Sequence, residues 1–416
     1  MSSQVSGTPH VDPCSAREGD EDRALWEFVP LSAYAVPVLS VGSAVARGVT
    51  AFRNFFRRPA DRDETPVKEE ADLHHLSPRR MSTLVRPLPW DDATRALSVA
   101  LDDWPGTTEP GRACMVVGQP FAGHAELLTL FARLRGATLV PAPSMDQIFD
   151  TDSDWFAAWP RAGTPWVLPC LEACFLRHVR GLGLVRQLLS LVAEGGLGTG
   201  VLGCDSWSWA YLRRVAPVSC RELTLQAFDA QRLRCLFAAM VAPRAAGSVH
   251  FCNAANGRDI FSVPSEEKAP PEEFFQLAAY CRGNVALAAH TWRGRLRSEP
   301  DSDGAARDGE VSGASDGQTP EDRVWVTDMP PDPVLPTGDG EETRLALHAA
   351  LIHGGMRQDL VAELLPWATW KSAALLHRLE RAGLMRNEDN RWLVRESAYA
   401  AVRRLLRSHG YLVDDF

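Results

Sequence analysis

The sequence of 416 residues lacks an excess of basic residues, a paired cysteine spacing and any internal repeat. Its 44 lysines and arginines are outnumbered by 53 aspartates and glutamates, and a net charge of −9 argues against a general nucleic-acid coat. Nine cysteines, from Cys14 to Cys281, show no disulfide framework, which favours reduced thiols and a cytoplasmic location. With 45% apolar and 23% charged residues, the composition is that of a soluble globular protein of two or three domains.

The sequence also lacks an uninterrupted hydrophobic run. Residues 1–24 are polar and acidic, which predicts disorder and no cleavable signal. The nearest apolar stretch runs from Phe28 to Ala46 without a charge, and arginines follow it. Pro30 and Pro37 interrupt it, so for residues 25–58 an ordinary docking segment is favoured over a membrane span or peripheral membrane contact.

Two stretches have the composition of linkers. Residues 59–80 are charged and nearly free of large apolar side chains, and residues 298–342 hold 13 acidic against two basic residues, a net charge of −11. The acidity of the chain therefore belongs to the second linker, since the rest of the sequence carries a net charge of +2. Only Val324, Trp325 and Val326 interrupt this linker, and we expect them to form a short strand that docks on a neighbouring domain.

Residues 81–297, between the linkers, alternate short apolar runs with helical patterns. This alternation predicts an α/β fold, a three-layer domain with a parallel sheet covered by helices. We predict five strands, at residues 113–117, 137–140, 165–168, 200–204 and 222–225. The helix after the first strand has an apolar face that includes Leu127 and Phe131, and a longer helix is expected between Leu176 and Val192.

The strand Ala113–Val117 runs into a loop and then a helix, the context of a nucleotide phosphate loop. Gly118 and Gly123 keep the spacing of G-x-x-x-x-G-K-[ST]. His124 stands at the lysine position and Ala125 at the position of the metal-binding hydroxyl. Backbone N–H groups remain to cradle a phosphate. Phosphoryl transfer depends on charge neutralisation, so at most a weak ATPase is expected. The alternative is that both glycines only serve a tight turn.

Two further strand ends carry acidic residues. Glu172 follows the strand at Trp166–Leu168, where a Walker B motif would hold Mg²⁺ and activate water, but Cys170 or Pro169 replaces the aspartate of that motif. Asp205 follows the next strand, where such ATPases carry a sensor of the γ-phosphate. For Asp205 we favour the alternative of capping the helix that follows.

Two predicted helices, residues 272–281 and 284–296, are joined at a Gly283-Asn284 turn. The phosphate loop, the Walker B strand end, the sensor strand end and this helix pair follow one another within residues 85–297. This order of motifs resembles the AAA+ and STAND class of P-loop ATPases, in which the helix pair forms a small lid. The resemblance implies ATP or ADP, weakly bound, and gives little support to Mg²⁺. It implies Glu172 as the catalytic residue and the following nucleotide-binding residues: Gly118, Gln119, Gly123, His124, Ala125 and Asp205. It also implies that Arg293 or Arg295 reaches phosphates from the lid, although we favour a solvated face for both.

Other residues with metal-binding or stacking chemistry have simpler interpretations. Cys170, Cys174 and His178 would align on one helical face and supply three zinc ligands, but small core cysteines are favoured and we predict no metal site. Four tryptophans lie near predicted strand ends, and packing is favoured over stacking on a base or a partner: Trp155, Trp159, Trp207 and Trp209.

Residues 343–416 show the pattern helix, helix, helix and hairpin, which predicts a winged-helix domain. The hairpin turn is expected at Asn387–Asn390. Residues 341–416 hold 11 basic and 10 acidic residues, a weak surface for binding DNA through Lys371 and Arg378. The resemblance to STAND-like proteins implies instead a conformational arm that packs against the ATPase-like domain.

Taken with the resemblance, these features favour a nucleotide-responsive regulatory protein with little or no hydrolysis, whose winged helix relays its state to a protein partner. Two alternatives stay open. One is a pseudo-ATPase scaffold in which the old site is filled, attached near a membrane through residues 28–58. The other is a DNA-binding regulator that uses the winged helix.

Overall fold

A computed structural model describes residues 24–37, 68, 70–102, 113–150, 154–160, 163–216, 220–242, 249–261, 269–300, 322–331, 333–335 and 340–416. The strands are β1 Phe28–Pro30, β2 His74–His75, β3 Ala113–Gly118, β4 Thr138–Leu139, β5 Trp166–Leu168, β6 Gly200–Asp205, β7 Arg221–Leu225, β8 Val249–Asn253, β9 Leu296–Ser298, β10 Asp322–Val326, β11 Met356–Arg357, β12 Met385–Glu388 and β13 Arg391–Val394. The helices are α1 Pro78–Leu84, α2 Trp90–Asp102, α3 His124–Arg135, α4 Met145–Phe149, α5 Gly183–Ala193, α6 Ser206–Val215, α7 Ala230–Met240, α8 Glu272–Tyr280, α9 Val285–Gly294, α10 Gly340–Ile352, α11 Val361–Leu364, α12 Thr369–Arg381 and α13 Tyr399–Ser408.

The main sheet has the strand order β1-β7-β3-β6-β5-β4. All five predicted strands are present in it and pair in parallel, and only the edge strand β1 runs antiparallel. The side chains of β3 and β6 are buried throughout, as expected of central parallel strands covered on both faces. The predicted α/β class with a parallel-rich sheet is confirmed.

The register of the two central strands places the phosphate-loop region beside the second acidic strand end. Gly118 at the end of β3 pairs with Asp205 at the end of β6. Parallel strands bring their carboxyl ends to one edge of the sheet, where loops meet and ligands commonly bind. The candidate site residues of the two strand ends therefore lie next to each other.

A second sheet, with the order β2-β9-β10-β8, was not predicted as a whole. Its strand β10 comes from the acidic linker, pairs in parallel with β8 and buries Trp325 completely, which confirms the predicted docking strand. The lid helix predicted to extend to residue 296 ends at Gly294, and Leu296–Ser298 form β9 instead. His74–His75, in the predicted first linker, pair with β9.

The apolar segment that begins at Phe28 starts as part of the main sheet. Phe28–Pro30 pair with β7, and the preceding Trp26 is buried against Trp90 and Phe228 with ring centroids 5.9 and 5.1 Å away. Residues 38–46 of this segment lie outside the described residues, as do residues 1–23. In the part of the chain that the structure describes, no helix combines the length and the apolar character that crossing a membrane requires.

The C-terminal residues contain the predicted helices and hairpin. Helix α12 buries Leu375, Leu376 and Leu379, and the hairpin turns at Asp389 and Asn390, both in the left-handed conformation. An additional strand, β11, extends the hairpin to the sheet β11-β13-β12. We call residues 340–416 the C-terminal module. It packs on the carboxyl edge of the main sheet.

The longest predicted helix of the first domain is shorter than the apolar spacing indicated. Helix α5 begins at Gly183 rather than near Leu176, and residues 171–173 form a single turn of 3₁₀-helix. Cys170, Cys174 and His178 therefore share no helical face, and that prediction is wrong. The chain turns at Gly181 before α5, and a Cβ there would lie 2.7 Å from the carbonyl oxygen of Leu176, so the turn requires glycine.

Candidate functional site

The loop between β3 and α3 keeps the strand, turn and helix geometry that its glycines predict. Gly123 caps α3 in the left-handed conformation with φ +72°. A Cβ at this position would lie 2.5 Å from the ring of Trp90, so packing and backbone both require glycine. The first turn of α3 therefore faces the carboxyl edge of the sheet with no side chain capping it.

His124, at the lysine position of the motif, folds back over the loop. A Cβ added to Gly118 would lie 2.9 Å from His124 Nδ1, which shows how closely the imidazole packs on the start of the loop. His124 Nε2 lies 3.2 Å from Glu172 Oε1, and their side chains are 12% and 7% exposed. The residue at the lysine position and the acidic residue of the predicted Walker B strand thus contact each other.

The pKa shifts of this pair describe a buried ion pair. Burial alone would lower the pKa of His124, but the charge of Glu172, the hydrogen bond to it and the charge of Asp205 together outweigh burial and raise this pKa. Burial alone would raise the pKa of Glu172, but the charge of His124, the hydrogen bond to it and two backbone N–H groups together hold this pKa below its ordinary value. Both shifts favour the imidazolium and the carboxylate, since an opposite charge at hydrogen-bond distance stabilises each.

The backbone of Asp205 binds the His124–Glu172 pair, and its side chain caps a helix. We call these three residues the cluster. The N–H of Asp205 donates to Glu172 Oε2 over 3.1 Å, while its carboxylate accepts from the N–H of Trp207 over 2.9 Å at the start of α6. The capping interpretation is confirmed. Burial, followed by the charge of Glu172, raises the pKa of Asp205 well above its ordinary value.

The C-terminal module closes the space in front of the loop. A cavity of about 200 Å³ remains, and it combines loop and cluster residues with apolar residues of the module. The module residues are Ala350, Leu351, Gly354, Gly355, Leu393 and Val394. The approach is close, since a Cβ at Gly354 would lie 3.2 Å from Glu172 Cγ. Ligand pockets usually offer roughly 300–1,000 Å³, so a nucleotide with its metal does not fit the site as it is built.

Gln119, expected among the nucleotide-binding residues, is hydrogen-bonded to the N-terminal segment and the lid turn. Its Nε2 donates to Tyr34 Oη over 2.7 Å and to the carbonyl oxygen of Arg282 over 3.3 Å. Tyr34 Oη in turn donates to the same carbonyl over 3.0 Å. Gln119 therefore joins the N-terminal segment and the lid turn to the loop. The sequence does not predict these contacts, because the three residues lie far apart along the chain.

The lid arginines do not point to the loop. Arg295 is 4% exposed, and its Nε donates to the carbonyl oxygen of Thr327 over 2.7 Å. Arg293 donates to the carbonyl oxygen of Arg86. The solvated face favoured for both is wrong for Arg295, because the second sheet, which was not predicted, covers it.

The tryptophans and cysteines near the strand ends are packing residues. Trp155, Trp207 and Trp209 are at most 3% exposed, in agreement with the predicted packing. Cys174 is buried, and burial raises the pKa of its thiol well above the ordinary value, which opposes a nucleophilic role. Within the described ranges, no three His, Cys, Asp or Glu side chains are grouped so as to hold a metal ion.

Two buried histidines hold the module to a loop of the main domain. The N–H of Arg177 donates to His353 Nε2 over 3.3 Å, and its guanidinium donates to His348 Nδ1 over 3.0 Å. Burial, followed by the charge of Arg177, lowers the pKa of His348 to about 4 and that of His353 to about 3. Both histidines are therefore neutral in the closed structure at neutral pH.

Comparisons with known proteins identify no family. No protein-family model matches the sequence, and no curated protein matches it. Among solved structures, a Walker-type ATPase of Pyrococcus abyssi is 12% identical over 82% of this chain and 99% of its own, with a TM-score of 0.27. Cdc6p of Pyrobaculum aerophilum is 13% identical over 83% of this chain and 99% of its own, also with a TM-score of 0.27. Scores at this level carry no argument about ligand, activity or partner.

Proposed function

We propose that this chain is an ATPase-like P-loop protein that acts as a pseudo-ATPase, a regulatory scaffold whose former nucleotide site is filled by its own side chains. One observation carries the proposal. His124 packs on Gly118 and pairs with Glu172 over 3.2 Å, so the groups at the lysine and Walker B positions neutralise each other instead of a phosphate and a metal.

The remaining chemistry of the site agrees with a loss of hydrolysis. Ala125 has no hydroxyl group to hold Mg²⁺. Both oxygens of Glu172 are engaged, one by His124 and the other by the N–H of Asp205. Hydrolysis needs a cation on the phosphates and a carboxylate that orients water. The described residues around the loop leave neither of these groups available, and no catalytic step is assigned to them.

A regulatory role is supported by the position of the C-terminal module over the site. In this proposal the module is a winged helix that acts as a conformational arm and presents helix α12 to a protein partner. Trp370 on this helix is 75% exposed, whereas Lys371 is paired with Glu342 over 2.6 Å. A nearly neutral module with an exposed tryptophan suits a protein partner better than DNA, which demands phosphate neutralisation.

A second candidate function, response to ATP or ADP without hydrolysis, is favoured by one observation. The first turn of α3 carries no side-chain cap, and the N-terminus of such a helix attracts anions. Nucleotide would then have to displace both His124 and the C-terminal module.

A thermal-shift measurement with ATP and with ADP separates the two candidates. A ligand present at ten times its Kd stabilises the folded state by about 1.4 kcal/mol, which corresponds to roughly 1–2 °C for a chain of this size. The pseudo-ATPase predicts an unchanged melting temperature at millimolar nucleotide. A rise would favour the second candidate. The variant His124→Lys with Ala125→Ser returns a charge and a hydroxyl group, and an unchanged melting temperature there too would mark the loop as vestigial.

A further inference from the structure

The residues after the last helix, 411–416, form a tail that buries two of its side chains. Helix α13 ends at Ser408, and Gly410 turns the chain with φ +73°. The tail has no regular secondary structure, yet Asp414 is 3% exposed and Phe416 is 4% exposed, while Asp415 between them is exposed. A carboxylate so deeply buried requires charged or hydrogen-bonding partners.

Asp414 finds those partners on two separate elements. Ser206 Oγ, at the start of α6, donates to Asp414 Oδ2 over 2.5 Å. Arg403 on α13 donates to Asp414 Oδ1 through Nε over 3.1 Å and through Nη2 over 2.6 Å. Two charge-assisted hydrogen bonds and a hydroxyl group make this carboxylate the most strongly bound part of the tail.

Phe416 is held by a further set of groups. Its carbonyl oxygen accepts from Arg282 Nε over 2.9 Å and from Arg403 Nη2 over 2.7 Å. Its ring centroid lies 4.6 Å from that of Tyr34, a separation typical of packed aromatic pairs. Upstream, His348 Nε2 donates to the carbonyl oxygen of Leu412 over 3.0 Å.

The tail therefore lies in a site that the rest of the molecule builds. The N-terminal segment supplies Tyr34, α6 supplies Ser206, the lid turn supplies Arg282 and α13 supplies Arg403. Arg403 pairs with the carboxylate of Asp414, and Arg282 donates to the carbonyl oxygen of Phe416. The site therefore supplies two guanidinium groups to a segment of six residues, an arrangement that suits an acidic peptide. Arg282 adopts φ +53°, a left-handed conformation that fits its place just after the C-cap of α8.

We propose that Tyr34, Ser206, Arg282 and Arg403 form a peptide-binding site for an aspartate followed two residues later by a phenylalanine. The chain's own tail occupies this site in cis, as a bound peptide would. A partner protein that carries the same acidic and aromatic segment occupies it in trans by displacing the tail. Recognition of acidic segments by clustered arginines is a common mode of peptide binding. The proposal does not depend on whether nucleotide binds the loop.

The test measures binding of a labelled peptide with the sequence of residues 409–416. The protein is the full-length chain, either unmodified or with Asp414→Asn and Phe416→Ala, which weaken the binding of its own tail to the site. We expect the peptide to bind this variant at least tenfold more tightly than the unmodified chain, because the intact tail competes. A peptide with Asp414→Asn should bind at least tenfold more weakly, because it loses the charge-assisted hydrogen bonds to Arg403. A peptide with Asp415→Asn is the matched control and should bind within about twofold of the unaltered peptide. Its side chain is 88% exposed, and its pair with Arg213 at 3.9 Å is screened by solvent.

Equal binding of the Asp414→Asn peptide and the unaltered peptide would overturn the proposal, as would no binding to a folded tail variant. If the double variant does not fold, the single variant Phe416→Ala, which keeps Asp414, is used in its place. It should also bind the peptide more tightly than the unmodified chain does. A tail variant that forms a dimer with the unmodified chain, but binds no peptide, would assign the site to a second copy of this chain and would also contradict the proposal.

Discussion

His124 and Glu172 lie 48 residues apart in the sequence, and their side chains meet at 3.2 Å between Nε2 and Oε1. The imidazole stands where the lysine of a phosphate loop would contact phosphate, and the carboxylate stands at the end of the strand that would hold the metal. In the proposed pseudo-ATPase, this contact replaces an external anion by an internal one. In the closed structure each group satisfies the other, and the C-terminal module covers both.

The first prediction concerns the cost of breaking this pair. Glu172→Gln should lower the free energy of unfolding by about 3–5 kcal/mol, because removing one partner leaves the other charge buried. Chemical denaturation measures it. Glu342→Gln is the matched control, since it breaks the more exposed pair with Lys371, and a loss of less than about 1 kcal/mol is expected there. Equal losses of unfolding free energy in the two variants would show that the buried pair stabilises the fold no more than the exposed pair does.

The second prediction concerns acid. His348 has a pKa lowered to about 4 in the folded state, against about 6.5 when unfolded. The unfolded state binds more protons between these values, so stability is fully present above about pH 6.5 and falls as the pH is lowered towards 4. His348→Gln keeps a donor to Leu412 but cannot be protonated.

Denaturation curves at pH 7 and pH 4.5 check this second prediction. The variant should lose up to about 3 kcal/mol less than the unmodified chain on acidification. A variant with the same pH dependence as the unmodified chain would contradict a role for His348 in acid sensitivity.

The third prediction compares two glycines that both have a left-handed backbone at the ends of α3. Gly136→Ala adds a methyl group with no heavy atom within 4 Å and should cost about 1–2 kcal/mol for the backbone alone. Gly123→Ala adds the same strain and also places the methyl group 2.5 Å from the ring of Trp90. We expect about 2–5 kcal/mol there. Similar unfolding free energies for the two variants would mean that the loop yields easily around Trp90.

The fourth prediction tests the strand that the acidic linker contributes. Trp325 is fully buried, and its Nε1 donates to Glu299 over 3.1 Å. Trp325→Ala should cost about 3–5 kcal/mol through the cavity that it leaves. Trp370→Ala removes the same side chain from a position that is 75% exposed and should cost less than about 0.5 kcal/mol. A small effect of Trp325→Ala on thermal unfolding would mean that β10 does not contribute to the core.

The sequence predicts the main sheet because its strands are short apolar runs bounded by turn residues, and the strands β3, β5 and β6 are buried on both faces. The second sheet is harder to predict. Its strand Val249–Asn253 is half-buried and pairs with a strand more than 70 residues later. The residues Leu296–Ser298 continue a helical pattern along the chain, and they form a strand because they pair with Trp325 and Val326 on one side and with His74–His75 on the other.

Of the candidate site, the sequence predicts which residues meet but not what they do together. The motif spacing brings Gly123, His124, Ala125, Glu172 and Asp205 to one cavity. The pairing of His124 with Glu172 depends on the fold, since no local spacing connects them. The tail is missed for the same reason, because Asp414 gains its partners only when Ser206, Arg282 and Arg403 converge on it.

The central claim is that the site is filled by the chain itself. Calorimetric titration of the unmodified full-length protein with ATP and ADP, each with and without Mg²⁺, tests this claim most directly. The account predicts no binding heat at millimolar nucleotide, because the His124–Glu172 pair and the C-terminal module occupy the space that phosphates would need. Saturable binding with a micromolar Kd, weakened by a change at Gly123 or His124, would contradict it.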